Sequence, residues 1–216
     1  MPLDVTEIER LYAYPTTDRP WVRSNFVATI DGAAHGADGV SGTLGGDVDH
    51  QVFGVLRALA DVVLVGAGTA RDEGYGPADV PIAVVSRRLD VPEQLLVPGT
   101  LVVTTADAPA DRLDELRSAV DVIALGQGAI DWPAVLDALA DRGLVRVLCE
   151  GGPSLHGELV GHDLVDEVCL TVAPVLASGS APRIAHATVA VDRPMTLGHA
   201  IASDDVLLTR WVRARA

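Results

Sequence analysis

Glu150, Gly151, Gly152, Pro153, Ser154 and Leu155 follow directly on the apolar run 145–149. Read as a buried strand turning into a helix, this stretch has a definite chemistry. Glycine reaches backbone angles closed to other residues and lets a ligand approach the main chain. Proline suits the first helical turn. The N–H groups that open the helix, through Leu155 and His156, lack partners within it, and with the helix dipole they form a seat for a phosphate or pyrophosphate. Glu150 falls at the carboxyl end of the strand, where open α/β sheets place their ligand crevice. The same residues also make a tight turn with no ligand, because strand–Gly-Gly–helix is not a specific motif.

Other strand ends collect further candidates. Gly66-Ala67-Gly68-Thr69 follows the apolar run 62–65; it is either a plain turn or a close backbone approach to a ligand with a hydroxyl added by Thr69. Ser86-Arg87-Arg88 follows the run 81–85. Its arginine forks suit the 2′-phosphate of NADP, and equally an ordinary solvated basic turn. Arg57, late in a helical pattern, either holds a substrate phosphate or complements the helix dipole. Asp31, before Gly32, either polarises a substrate or makes a turn.

The composition excludes whole classes. All sixteen basic residues are Arg, and the absence of Lys removes a protein Schiff base, pyridoxal phosphate attachment and the Walker phosphate loop. A net charge of −14 speaks against nucleic acid or an anionic membrane as the main partner. The six histidines and two cysteines show no metal-ligand spacing, so no metal is expected, and no Gly-X-Ser-X-Gly elbow supports a hydrolase. Cys149 and Cys169 read as small buried hydrophobes of a reducing compartment. Residues 1–9 show no signal peptide, and no apolar run reaches a membrane span. A cytoplasmic protein is expected.

The elements that must position these residues alternate. Residues 1–20 read as a lead-in, then 21–29 as a strand and the glycine-rich stretch 31–49 as a long loop. A helix over 49–60 precedes strands at 62–65, 81–85, 101–105, 120–125 and 145–149, with helices at 110–119, 132–142 and 153–160. Strands alternating with helices imply crossovers and a mostly parallel sheet. A strand at 167–175 and two more at 195–202 and 206–213, joined like a hairpin, imply antiparallel pairing at one edge. The expectation is one α/β domain over residues 1–216, a mixed sheet of at most nine or ten strands flanked by helices.

In this order the pieces resemble the reductase domain of riboflavin biosynthesis, the pyrimidine reductases, which share the dihydrofolate-reductase-like fold. The residues that carry the likeness are the strand 22–29 with Ile30-Asp31-Gly32, Ser41-Gly42, Val55-Leu56-Arg57, the stretch from Asp61 through Gly66-Ala67-Gly68-Thr69, Glu150-Gly151-Gly152-Pro153-Ser154-Leu155, Leu164-Val165-Asp166-Glu167-Val168 and Ala173-Pro174-Val175-Leu176. It covers about residues 19–213. The resemblance implies hydride transfer from NADPH to the ribose part of a phosphoribosylamino-pyrimidine, and a homodimer. It places Asn25, Ser41, Arg57 and Glu150 at the substrate, with Arg57 on its phosphate. Gly66, Gly68, Thr69, Glu73, Ser86, Arg87 and the run Gly151, Gly152, Pro153, Ser154, Leu155, His156 and Gly157 fall to NADPH, with Val27 and Thr43 beside the nicotinamide. Glu150 and Asp31 become the catalytic candidates; burial raises a carboxyl's pKa and would equip Glu150 for ring opening or proton delivery.

The chain departs from that pattern in three places. Asn25 stands where many members carry Lys, Glu73 where many carry Asp, and the zinc signature of the usual partner deaminase is absent. These departures keep two rivals in view: a dihydrofolate or pterin reductase, and a catalytically silent NADP-binding protein.

Overall fold

The computed structural model describes residues 3–214. Nine strands form one sheet in the order β5-β4-β3-β2-β6-β1-β7-β9-β8. They are β1 (Trp21–Thr29), β2 (Val62–Gly66), β3 (Ile82–Val85), β4 (Leu101–Thr104), β5 (Asp121–Ala124), β6 (Arg146–Gly151), β7 (Glu167–Ala173), β8 (Met195–Ser203) and β9 (Val206–Arg213). All pairs from β5 to β7 are parallel, and β7–β9 and β9–β8 are antiparallel, as the sequence patterns led one to expect. β2, β3 and β4 are apolar almost throughout because helices cover both faces. They are α1 (Val5–Leu11), α2 (Gly46–Leu59), α3 (Ala67–Asp72), α4 (Ala110–Arg117), α5 (Trp132–Ala140) and α6 (Pro153–Gly161).

Strand alternation divides the core. Val63, Val65 and Leu148 pack with Val52, Val55 and Leu56 of α2. Val62, Leu64, Val147 and Cys149 pack on the opposite face with Trp132, Leu136 and Leu139 of α5 and Leu159 of α6. Side chains two apart on a strand share a face. Glu150 therefore follows Leu148 onto the α2 side, which is where Arg57 lies.

β6 lies between β1 and β2, so a late strand separates two early ones. Such a switch in strand order opens a crevice at the carboxyl ends of the strands. On the antiparallel side, buried Glu167 accepts hydrogen bonds from Arg23 Nε at 2.7 Å, Arg210 Nε at 2.7 Å and Trp21 Nε1 at 3.1 Å, tying β1, β7 and β9 together.

Three expectations need correction. Residues 1–20 contain a helix: Asp4 Oδ1 accepts the Glu7 N–H at 2.7 Å, and Ile8 and Tyr12 are buried beside α2. Seven residues with apolar side chains only at Val5, Ile8 and Leu11 were too few for periodicity to register. Gly66-Ala67-Gly68-Thr69 is not a plain turn either. β2 runs through Gly66 and α3 begins at Ala67, with Ala67 and Ala70 buried; small residues let the helix sit close on the sheet. β6 also continues two residues beyond Cys149, so Glu150 and Gly151 belong to the strand.

Candidate functional site

A cavity of about 480 Å³ opens at the crevice. β1 contributes Asn25, Phe26 and Val27, α2 contributes Phe53 and Arg57, and β6 with the following turn contributes Glu150, Gly152 and Pro153. Thr69, Glu73 and Tyr75 close another side, and Ser41 comes from the glycine-rich loop.

At its centre, Arg57 gives Nε to Glu150 Oε1 at 2.8 Å and Nη2 to Oε2 at 2.7 Å. Tyr75 donates its hydroxyl to the same Oε2 at 2.6 Å. The guanidinium also lies over the rings of Phe53 and Tyr75, 4.4 and 5.1 Å from their centroids, as cation–π contacts require. Burial opposes the charge on Arg57, but hydrogen bonding and attraction to Glu150 more than restore it, so its pKa is raised. Burial, and then the charge of Glu150, push the Tyr75 phenol well above its ordinary value and keep it a hydrogen-bond donor. Glu150 is thus no isolated buried acid: a cation and a hydroxyl satisfy both its oxygens.

The glycine pair is shaped by its neighbours. Gly151 has a φ of +87°, and a Cβ there would come within 2.8 Å of the Phe26 ring. A Cβ on Gly152 would stand 2.5 Å from Thr69 Oγ1. The Gly151–Gly152 peptide is cis. Gly152 caps α6 without a side-chain bond, and Pro153 has no N–H. The His156 N–H is not free, as it donates to Gly152 O at 3.0 Å. The amides left without a partner inside α6 are therefore those of Ser154 and Leu155, neither of which lines the cavity; the Thr69 hydroxyl lies beside Gly152.

Other expected residues lie elsewhere. Asp31 does not line the cavity; its carboxylate accepts from Thr29 Oγ1 at 2.6 Å and from the Ala177 and Ser178 amides at 3.1 and 2.7 Å. Those bonds lower its pKa to about 2. A catalytic Asp31 gives way to a tie between the loops after β1 and β7. His156 is buried, stacks on Phe26 and points Nδ1 at Ile184 O, 2.9 Å away. Gly157 lets the chain at His186 pass where a Cβ would meet its backbone at 2.2 Å. Both support the segment over α6 and have no open face toward the cavity. Thr43 is exposed and donates to Asp38 Oδ2 at 2.9 Å. Gly66, Gly68 and Leu155 belong to the backbone around the crevice and do not line the cavity.

Glu73 meets Ser41: its Oε1 accepts both the Ser41 N–H and Oγ–H at 2.8 Å, closing the glycine-rich loop over the cavity. Ser86 is buried and caps its own turn, accepting the Asp90 N–H at 3.0 Å. Arg87 is exposed, 3.9 Å from Glu158 of α6, and Arg88 is exposed beside it. Among the described residues no group of His, Cys, Asp and Glu could hold a metal ion. The sequence reading missed Tyr75 and Phe53. Tyr75 lies in a charged, glycine-rich stretch, and Phe53 reads as one more apolar position of α2, so neither carried a signal of its own.

The RibD C-terminal domain family matches residues 20–200 of the chain. The 2,5-diamino-6-ribosylamino-4(3H)-pyrimidinone 5′-phosphate reductase of Methanothermobacter thermautotrophicus is 29% identical over 175 residues, 74% of this chain and 81% of that one. A solved pyrimidine reductase-like protein from Corynebacterium diphtheriae superposes with a TM-score of 0.85 at 26% identity, covering 97% of this chain and 99% of that one. Dihydrofolate reductase from Enterococcus faecalis, solved with NADP(H), has a TM-score of 0.50 at 11% identity over 90% of this chain and 97% of that one, a likeness of fold alone.

Proposed function

Because the chain belongs to the RibD C-terminal domain family, we propose that it is an NADPH-dependent reductase delivering hydride to the ribose part of a phosphoribosylamino-pyrimidine, 5-amino-6-(5-phosphoribosylamino)uracil, in riboflavin biosynthesis. The observation that carries this reading is the continuity of one cavity from Arg57 and Glu150 to Thr69 and Gly152. A heterocycle end and a dinucleotide end adjoin there at the switch in strand order.

The residues present fit the dinucleotide. Gly152 leaves a space beside Thr69 that a Cβ would fill, and the Ser154 and Leu155 amides have no partner inside α6, whose first turn begins just past Gly152. NADPH, when bound, supplies the hydride. Thr69 and the two amides hold the diphosphate, and Arg87 is exposed for the 2′-phosphate. Val27 bounds the reacting end of the cavity, and the Ser41–Glu73 contact ties the glycine-rich loop to its rim. Glu150 orients the substrate's polar edge, and the Tyr75 hydroxyl holds Glu150 Oε2 in place. A homodimer in the cytoplasm goes with this function: Ile30, Leu176, Leu197 and Leu207 expose apolar surface for a second copy, and among the described residues no helix is long and apolar enough to cross a membrane.

The test is an NADPH oxidation assay run in parallel with the phosphoribosylamino-pyrimidine and dihydrofolate, and repeated with NADH. Turnover of the pyrimidine with a preference for NADPH is expected. Turnover of dihydrofolate alone would replace the substrate, and binding of NADPH without any turnover would leave a silent binding protein.

A further inference from the structure

Asp49, Phe53 and Arg57 follow one another at four-residue spacing on α2, so one face of the helix turns all three into the cavity. Arg57 grips Glu150. Asp49 lies about 12 Å away along the helix axis, toward the other end. Its carboxyl accepts from the Thr171 hydroxyl of β7. Thr171 pairs in register with Val27, which bounds the reacting end. Gly45 leaves room for this carboxyl, since a Cβ on Gly45 would overlap Asp49 Oδ2.

The acids of the cavity have unlike surroundings. Glu150 accepts from the Arg57 guanidinium and the Tyr75 phenol. Arg57 spends Nε and Nη2 there, and Nη1 stays outside the pair. The Tyr75 hydroxyl is taken up by Glu150, and its pKa stands well above the ordinary value. Glu73 Oε1 accepts both donors of Ser41, and Asp72 is exposed. Asn25 carries an amide, which does not titrate. His35 sets Nδ1 against Gly36 O at 2.8 Å, and His50 sets Nε2 against Gly42 O at 3.2 Å. At Asp49, among the described residues, the neighbouring charge that acts is that of His50. Burial raises the Asp49 pKa, outweighing the Thr171 bond and His50, which both favour the carboxylate. Where two carboxyls of one site sit in environments that differ in this way, the less solvated one without a cation bonded to it suits the role of acid.

Hydride placed on C1′ of the ribose gives an open ribityl chain only if the ring opens. The C1′–O4′ bond breaks as the lone pair of the exocyclic nitrogen forms a C1′=N bond, and O4′ takes a proton to become a hydroxyl. The hydride then fills C1′, and the π pair returns to nitrogen. Resting on the reductase reading of this cavity, we propose that Asp49 is the general acid of ring opening: its O–H bond breaks as the O4′–H bond forms, and water returns the proton after product leaves. Arg57 and Glu150 hold the substrate at one end of the α2 face, and Asp49 delivers the proton at the other.

The test uses the full chain. Carbon NMR of the aspartate carboxyls in the free protein, with the Asp49 signal assigned by its loss in Asp49→Asn, gives the pKa directly. For NADPH oxidation with the phosphoribosylamino-pyrimidine, kcat/KM should fall as pH rises through that same value, because the protonated carboxyl is the reactive form and kcat/KM follows the free enzyme. Exchange between the α and β anomers of the substrate needs ring opening but no NADPH, so it reports proton delivery by itself. Asp49→Asn keeps the shape without the proton and should slow both turnover and anomer exchange about a hundredfold. His50→Gln removes a charge that favours the carboxylate, so the NMR pKa and the falling limb should move together to higher pH. Full turnover in Asp49→Asn overturns the proposal and leaves the reductase reading intact. A limb that vanishes in His50→Gln but persists in Asp49→Asn also overturns it and gives the proton to His50. Anomer exchange lost in Asp49→Asn, with no NADPH oxidation by the unaltered protein, keeps Asp49 as the acid and removes the reductase. Neither anomer exchange nor oxidation by the unaltered protein ends both.

Discussion

Arg57 and Glu150 lie 93 residues apart in the chain and meet through two hydrogen bonds of 2.8 and 2.7 Å. The pair joins α2 to the end of β6 at the floor of the cavity. It makes one side of the cavity both a structural joint and a place for a polar ligand.

Arg57→Ala leaves Glu150 buried without its cation. Removing one partner of a fully buried pair costs about 3–5 kcal/mol. With a quarter of the Arg57 side chain exposed, the expected loss is about 2 kcal/mol, read as a lower urea midpoint at unchanged slope. An unaltered midpoint would mean that the pair contributes nothing to holding α2 on β6.

Tyr75→Phe removes a hydrogen bond to a charged acceptor, worth about 1–2 kcal/mol. The substrate end is disturbed and the α6 end is not. NADPH affinity should hold while turnover falls about tenfold. A change in NADPH affinity with normal turnover would assign Tyr75 to the wrong end of the cavity.

Gly152→Ala drives a methyl group to 2.5 Å from Thr69 Oγ1. NADPH affinity should fall by about tenfold or more. The double variant Gly152→Ala, Thr69→Ala removes that oxygen and leaves the Thr69 Cβ at 3.8 Å, an ordinary contact. Part of the affinity should return. If the double variant binds no better than the single one, the Thr69 contact is not what requires glycine.

His156 links stability to pH. Burial lowers its pKa from 6.5, so the unfolded chain takes up its proton first as pH falls. Stability from the neutral ring is complete above the unfolded value and is lost as pH drops toward the folded one. His199, lowered by burial and by Arg210, acts in the same window. His156→Gln keeps a donor for Ile184 O without the titration. It should flatten the decline of Tm between about pH 7 and about pH 5, with the His199 part remaining. An equally steep decline in the variant would exclude His156 as its source.

The order of strands and helices was legible in the chain because near neighbours write it. Buried parallel strands are continuous apolar runs, and α2 and α5 repeat apolar residues at the helical period. Glu150 with its two glycines was legible for the same reason: strand, turn and helix start are contiguous. The helix at 67–72 was hidden by its small residues, and the one at 5–11 by its length.

What the chain determined alone was the α/β class, the exclusion of lysine chemistry and the position of the acid and glycines at a strand end. The tertiary structure decided which partners meet there. Strand alternation turned Glu150 toward α2, the insertion of β6 between β1 and β2 opened the crevice, and the fold brought Tyr75 and Phe53 to Arg57. It also took Asp31 and His156 away, by filling their hydrogen bonds with loop backbone. A sequence records local periods well, but a hydrogen bond between distant residues exists only once the sheet order has brought their atoms within reach.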